Sequence, residues 1–378
     1  MKELQKIVSE AEGARAAGKA VALATVVGIE GSAYRLPGAR MLIVDGRWIA
    51  GSISGGCLED DVVLRAREAV AKNEASVAVY DTTSDDDVVF GVGLGCKGVI
   101  TILIEPIGAP REDVDFIRFA GECLVERKTG MAATVIRSGG QVRPGSRVLL
   151  RDDVQLSDID DRVLEDATLE AMGELPGNTA LLDLPMKKGT ALVFLERIEP
   201  PTPLVVFGAG HDAMPVVRFA RDLGWHVTLV DHRPAYATAE RFPGIDRIVI
   251  GSRTDAACKL ALDGDTLALV MTHNYLRDLE WLEMLLPSPV RYLGLLGPRR
   301  RTDQLLVDLR EKGIAPSPEQ IERLYAPVGL DIGSEGPAEV ALSILAEMQA
   351  VMTRHRGGHL RERKRPIHQR EELAPASL

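Results

Sequence analysis

The chain has 378 residues, 46% of them hydrophobic, and 45 basic against 55 acidic side chains give a net charge of −10. That length suits two domains with ordinary buried cores, and the acidic balance argues against a nucleic-acid surface. No apolar run reaches the ~18 residues of a membrane span, and Met1-Lys-Glu-Leu reads as the start of an amphipathic helix and not a signal peptide. Cys57, Cys96, Cys123 and Cys258 lie far apart with no Cys-x-x-Cys pair. This argues against zinc-ribbon and disulfide frameworks and fits a cytoplasmic chain with reduced thiols.

After the first helix, Ala20 to Ile29 is a β-branched and alanine run that predicts a buried strand. Arg40 to Val44 and Trp48 to Ile49 flank Asp45-Gly46, a strong hairpin signal. The hairpin leads to Gly51-Ser-Ile-Ser-Gly55-Gly56-Cys57-Leu-Glu59. Beyond it, Val62, Val63, Ala66, Ala69 and Val70 recur at helical spacing, so Cys57 falls near a helix N-terminus. Unpaired N–H groups and the positive end of the dipole favour a thiolate there, the form that acts as nucleophile or as sulfur and metal ligand. A small buried residue in a tight turn is the plainer alternative.

Ser76 to Tyr80 and Val99 to Ile104 predict two more strands, separated by an acidic stretch and by Gly91-Val-Gly93-Leu-Gly95-Cys96-Lys97. Successive glycines let N–H groups converge on an anion, so this second Gly-Cys loop suits a phosphate or a dithiolene sulfur. Asp113 to Arg127 predicts a helix in which Phe116, Phe119 and Ala120 mark a core stripe, which makes Cys123 structural. Met131 to Ile136 and Arg147 to Leu150 predict strands, Ser157 to Met172 a helix, and Thr190 to Ile198 a closing strand. The class of this half is α/β, with its topology open.

Glu199-Pro-Pro-Thr-Pro203 is the clearest boundary. Leu204 to Phe207 then enters Gly208-Ala-Gly210-His211-Asp-Ala213, followed by a helical run and a strand ending in Asp231. Strand, Gly-x-Gly-x-x-Ala, helix, strand and terminal acid in register predict a Rossmann-like doubly wound parallel sheet. Gly208, Gly210, His211, Asp231 and Arg233 are the candidate cofactor-binding residues, and His273 at a later strand end is a titratable candidate. Arg299 to Arg301 could neutralise phosphates or simply start a helix, and Gly329 to Gly336 could cap the site.

Gly31-Ser-Ala-Tyr-Arg35-Leu-Pro-Gly38, Gly51 to Glu59, Gly93 to Cys96, Gly208 to His211, Val230 to Arg233, Thr272-His273, Tyr292 to Gly297 and Ala326 to Gly333 together resemble the XdhC/CoxI family. These are accessory proteins of molybdenum hydroxylases such as xanthine dehydrogenase. The resemblance implies an XdhC/CoxI domain over residues 1–200, a Rossmann-like domain over 201–356 and a flexible basic tail over 357–378. It implies binding of molybdenum cofactor (molybdopterin or its dinucleotide), and help in its sulfuration and insertion. The implied partners are an apo molybdenum hydroxylase and a cysteine desulfurase, with a homodimer left open. Gly55, Gly56, Gly93 and Gly95 then join the cofactor-binding residues. Cys57 and Cys96 become the reactive thiols, and Cys57 a molybdenum-side ligand. Two departures are Lys97 after Cys96, and Asn274-Tyr275 after Thr272-His273, which puts a proton-transfer role for His273 in doubt. The runner-up is an NAD(P)-dependent oxidoreductase in which Asp231 holds the ribose, although no Tyr-x-x-x-Lys constellation accompanies it.

Overall fold

The computed structural model describes residues 1–81, 98–108, 114–140 and 142–363. The chain divides at Pro200/Pro201 into two compact units.

The first unit is mixed α/β. Helix α1 (Lys2–Ala16) leads into β1 (Val21–Gly31), β2 (Arg40–Val44) and β3 (Arg47–Gly51), then α2 (Glu59–Lys72), β4 (Ser76–Asp81) and β5 (Gly98–Ile107). Asp45 and Gly46 both take positive φ (48° and 68°), the tight turn that Asp-Gly prefers between β2 and β3. Helix α3 (Phe116–Glu126) then leads into β6 (Gly130–Ser138), β7 (Arg147–Arg151), β8 (Val154–Ser157), α4 (Arg162–Gly173), β9 (Thr179–Pro185) and β10 (Thr190–Ile198). The helix expected from Ser157 starts later, because Val154 to Ser157 pair with β7. Asp161 sets its N-terminus by accepting the Leu164 amide at 3.1 Å.

The two halves of this unit repeat one topology. The first sheet has the order β3-β2-β1-β5-β4 and the second β8-β7-β6-β10-β9. The correspondence reaches single residues. Thr25 faces Arg40 in one sheet, and Thr134 faces Arg147 in the other. The register slips once in each, skipping Val27 against β5 and Ile136 against β10. The turns into β2 and β7 read Pro37-Gly38-Ala39 and Pro144-Gly145-Ser146. In both, the glycine amide donates to its first strand at 2.8 Å, from Gly38 to Val26 and from Gly145 to Val135. Inner faces of both sheets share one cluster, with Val27, Leu103, Ile136 and Phe194. Helix α2 covers the outer face of the first sheet and α4 that of the second.

The second unit is the expected parallel sheet. Its strands are β11 (Pro203–Phe207), β12 (His226–Asp231), β13 (Arg247–Ile250), β14 (Leu267–Val270), β15 (Tyr292–Leu295) and β16 (Leu324–Tyr325), in the order β13-β12-β11-β14-β15-β16. All neighbours pair in parallel. Helices α5 (Ala213–Asp222) and α10 (Pro337–Met352) cover one face, and α6 (Arg253–Ala257), α7 (Tyr275–Leu285) and α8 (Arg299–Glu311) the other. A short helix, α9 (Pro318–Glu322), precedes β16. The order reverses between β11 and β14, so ligands are expected beyond the C-terminal ends of these two strands. Of the tail, residues up to 363 are described and include a 3-10 turn at Leu360–Glu362; residues 364–378 lie outside the described part. Among the described residues no helix is long and apolar enough to cross a membrane.

Candidate functional site

Each unit carries one candidate site. In the first, the chain leaves β3 and forms a loop before α2. Buried Leu58, Val62, Ala66 and Ala69 match Leu164, Thr168, Met172 and Leu175 of the second repeat. On that match Glu59 corresponds to Glu165, three residues inside α4, whereas α2 begins only at Glu59. Residues 56–58 are therefore a turn of helix left unwound. Gly56 takes φ +111°, and a side-chain carbon there would meet nothing within 4 Å among the described residues.

Ser54 organises the turn. Its Oγ accepts the amides of Gly56, Cys57 and Leu58 at 3.1–3.2 Å and lies 3.4 Å from the Cys57 Sγ, whose S–H donates to it. Its own O–H donates to Glu59 Oε2 at 2.5 Å. Glu59 also accepts the amides of Ile53, Ser54 and Leu58 at 2.9–3.3 Å. Both Ser54 and Glu59 are buried, while Cys57 is half-buried. The amides of Ile53, Ser54, Gly56, Cys57 and Leu58 are thus satisfied within the loop, which also carries the half-buried thiol. Sequence reasoning placed Cys57, Gly55 and Gly56 correctly on one loop before a helix, but missed Glu59 as its anchor. The buried acid directly after Cys57-Leu58 was the available signal.

Gly93, Gly95, Cys96 and Lys97 lie outside the described residues. Cys123 is fully buried, and burial pushes its thiol up to about 11, consistent with a structural role. Among the described residues no three His, Cys, Asp or Glu side chains cluster as a metal site, so Cys57 has no set of co-ligands there.

The second site lies at the reversal of the parallel sheet. Gly208 has φ +115°, and a Cβ would strike the Met271 carbonyl at 2.6 Å, so only glycine lets β11 and the end of β14 approach so closely. At Gly210 a Cβ would meet Asp212 Oδ1 at 2.7 Å. His273, at φ +56°, donates from Nε2 to Asp212 Oδ2 at 2.6 Å. Beside them Thr272 donates to buried Asp278 at 2.5 Å, and Asp278 also pairs with Arg301. Asp212, His273, Arg301 and Glu335 line a cavity of about 480 Å³ with Gly297 and Val328. The loop expected to cap the site contributes Glu335. His211 is exposed, and its carbonyl accepts the Met214 amide at 3.3 Å. The 61-residue separation of Asp212 and His273 left no sequence signal for their pairing.

Asp231 is directed inward. Its Oδ2 accepts the Ala209 amide at 2.7 Å and the Arg233 Nη2 at 2.8 Å, and Oδ1 accepts the Arg233 amide and Nε at 2.8 and 3.0 Å. Burial pushes its carboxyl up, but the Arg233 guanidinium and the two amides outweigh burial and leave it below the usual carboxylate range. Both carboxylate oxygens are occupied by this chain's own donors, and Arg233 is spent on the same pair.

Residues 204–348 match the XdhC Rossmann domain and residues 14–81 match the XdhC and CoxI family. Over 336 residues the chain is 26% identical to the Escherichia coli molybdenum cofactor insertion chaperone PaoD, covering 88% of this chain and 84% of that protein. A crystal structure from Bacillus halodurans described as a xanthine dehydrogenase superposes with a TM-score of 0.76 at 28% identity, covering 94% of this chain and 98% of the other. A Bacillus subtilis protein, a probable subunit of xanthine dehydrogenase, is 33% identical over 335 residues, or 88% of this chain and 93% of that protein. The chain belongs to the XdhC and CoxI family.

Proposed function

We propose that this protein binds molybdenum cofactor and assists its sulfuration and insertion into a molybdenum hydroxylase of the xanthine dehydrogenase kind. The observation that carries this reading is the Cys57 turn, a half-buried thiol held by buried Ser54 and Glu59 just before α2. When bound, the cofactor supplies a molybdenum with sulfur ligands, for which a soft thiolate is a matching donor. The second unit, taken by itself, offers a cavity lined by polar groups. Glu335 there is of the kind that meets the N–H edge of a pterin, while Asp212 and Arg301 are held by His273 and Asp278. A match to the insertion chaperone PaoD that covers most of both chains supports the same assignment. An apo hydroxylase is then the recipient and a cysteine desulfurase the matching sulfur source.

The NAD(P)-dependent alternative fares less well. The acid it needs for the ribose is saturated by Ala209 and Arg233, and a second carboxylate stands beside Gly210, where a pyrophosphate would approach.

Anaerobic purification with and without cofactor supply, followed by molybdenum analysis and an apo-hydroxylase activation assay, tests the proposal. Bound molybdenum that rises with supply, and activation lost in Cys57→Ala, are expected. A Cys57→Ala protein that binds sulfurated cofactor and activates like wild type removes the thiol from the proposal, and no bound molybdenum in either preparation removes the whole of it.

A further inference from the structure

The duplicated halves of the first unit can be compared position by position, and one difference lies between the helix and the edge strand of each. In the first repeat the trough between α2 and the edge strand β4 is filled. Tyr80 donates from its hydroxyl to Asp61 at 2.5 Å, Arg65 donates to the same carboxylate at 2.7 Å, and the Arg65 guanidinium lies 5.8 Å from the Tyr80 ring centre. The β-sheet registers match Tyr80 with Leu184, since these residues face the equivalent Ile100 and Ala191. The helix match pairs Asp61 with Ala167 and Arg65 with Ala171. Every member of the filling latch is therefore cut back to a smaller apolar side chain in the second repeat.

What remains is a groove of about 370 Å³ between α4 and β9, lined by Ala167, Ala171, Leu182 and Leu184, with Glu170 and Glu174 on its helix wall. β9 is an edge strand of its sheet. The wall has also become more acidic. Glu170 stands where the first repeat has Leu64, and the cation at Arg65 is gone. Glu170 and Glu174 are exposed and pair with no basic side chain among the described residues.

We propose that this groove docks a segment of a partner protein that carries a bulky apolar or aromatic side chain next to an arginine or lysine. The segment supplies in trans the two things the first repeat supplies in cis: a large side chain for the trough, and a cation against the helix wall. Apolar contact gives the anchor and the acidic wall selects the charge. This surface is distinct from the thiol loop and from the Rossmann cavity, and the proposal stands independently of what the thiol loop binds.

The full chain, labelled with 13C at alanine and leucine methyls, is titrated with the pentapeptide acetyl-Arg-Leu-Arg-Tyr-Arg-amide and with its acidic counterpart acetyl-Glu-Leu-Glu-Tyr-Glu-amide. Saturable shifts at Ala167, Ala171 and Leu184 with the basic peptide alone are expected, weakened at least tenfold in Glu170→Lys/Glu174→Lys. The triple variant A167D/A171R/L184Y imports the first repeat's latch and is expected to fold with an unchanged or higher Tm and to lose the peptide shifts. Absence of saturable shifts, equal shifts with the acidic peptide, or unaltered binding by the triple variant overturns the proposal. So does a change of oligomeric state in the triple variant on sedimentation, which assigns the groove to a second copy. Binding that emerges only after truncation at Arg363 overturns it in favour of the chain's own C-terminal residues.

Discussion

Arg40 at the start of β2 and Glu196 of β10 form an ion pair with both side chains buried, and the repeat returns it as Arg147 of β7 with Glu105 of β5. Arginine and acid come from opposite halves in each pair, the reciprocity of an isologous contact. Both guanidiniums lie over the Phe116 ring, at 4.4 and 5.8 Å from its centre. Removing one partner strands a buried charge, so Arg40→Met or Glu196→Leu alone is expected to cost about 3–5 kcal/mol. The double variant Arg40→Met/Glu196→Leu is expected to recover most of that loss. Urea midpoints for the four proteins of the cycle check it. Additive losses would show that the two groups do not act as a pair.

Glu59 gives a second prediction with its control inside the same chain. It receives four donors around the Cys57 turn, so Glu59→Gln turns one acceptor into a donor facing N–H or O–H groups, at a cost of about 1–3 kcal/mol. Glu165, its counterpart, accepts from Gln155 alone among the described residues, at an exposed site, and Glu165→Gln is expected to stay within about 0.5 kcal/mol of wild type. Hydrogen exchange at Gly56 to Leu58 should accelerate in the first variant and not in the second. Equal effects in both would detach Glu59 from the turn.

The doubly wound sheet was legible because each of its signals is local. Two glycines, a helix, a strand and its terminal acid fall within 24 consecutive residues, Gly208 to Asp231, directly after strand β11. The use of that acid was not legible, since nothing in the spacing tells whether Asp231 turns outward to a ribose or inward to Ala209 and Arg233. The duplication of the first unit escaped for a related reason. Its mark is a sparse one, Pro-Gly-small-Arg-apolar-Leu at Pro37 to Leu42 and at Pro144 to Leu149, and Leu-Glu-Asp at Leu58 and Leu164. Between these points the second repeat has exchanged the glycine-cysteine loop for Asp160-Asp161-Arg162-Val163, so the last residue of β8 and the loop before α4 read as part of one helical stretch from Ser157. Cysteine placement was clearer, because a core stripe around Cys123 and a glycine pair before Cys57 are different local patterns.

Those two cysteines should separate in labelling. With the Cys123 thiol pushed up to about 11 by burial, about one molecule in a thousand carries its thiolate at pH 8. Iodoacetamide is therefore expected to modify half-buried Cys57 and exposed Cys258 well before Cys123, which reacts only on the timescale of unfolding. Peptide mass spectrometry over a time course reads the order. Early modification of Cys123 in folded protein would mean that the α3 face opens readily.

Asp231 gives a dependence on pH. Its carboxyl lies below the usual carboxylate range in the folded chain, held there by Arg233 and the Ala209 amide against the cost of burial. A depressed folded pKa contributes stability that is present above the unfolded value of about 3.9 and is lost as pH falls through the folded value. Asp231→Asn keeps the shape and forfeits the charge, so at pH 7 it is expected to be less stable than wild type by about 1–3 kcal/mol. Below about pH 4 the unfolded wild-type chain takes up a proton at this carboxyl before the folded chain does, so the difference between the two proteins should shrink. Chemical denaturation at pH 7, 5, 4 and 3 measures it. A gap that stays constant over that range would place the stabilisation in the shape of the side chain, whereas a gap that closes in acid places it in the charge shared with Arg233.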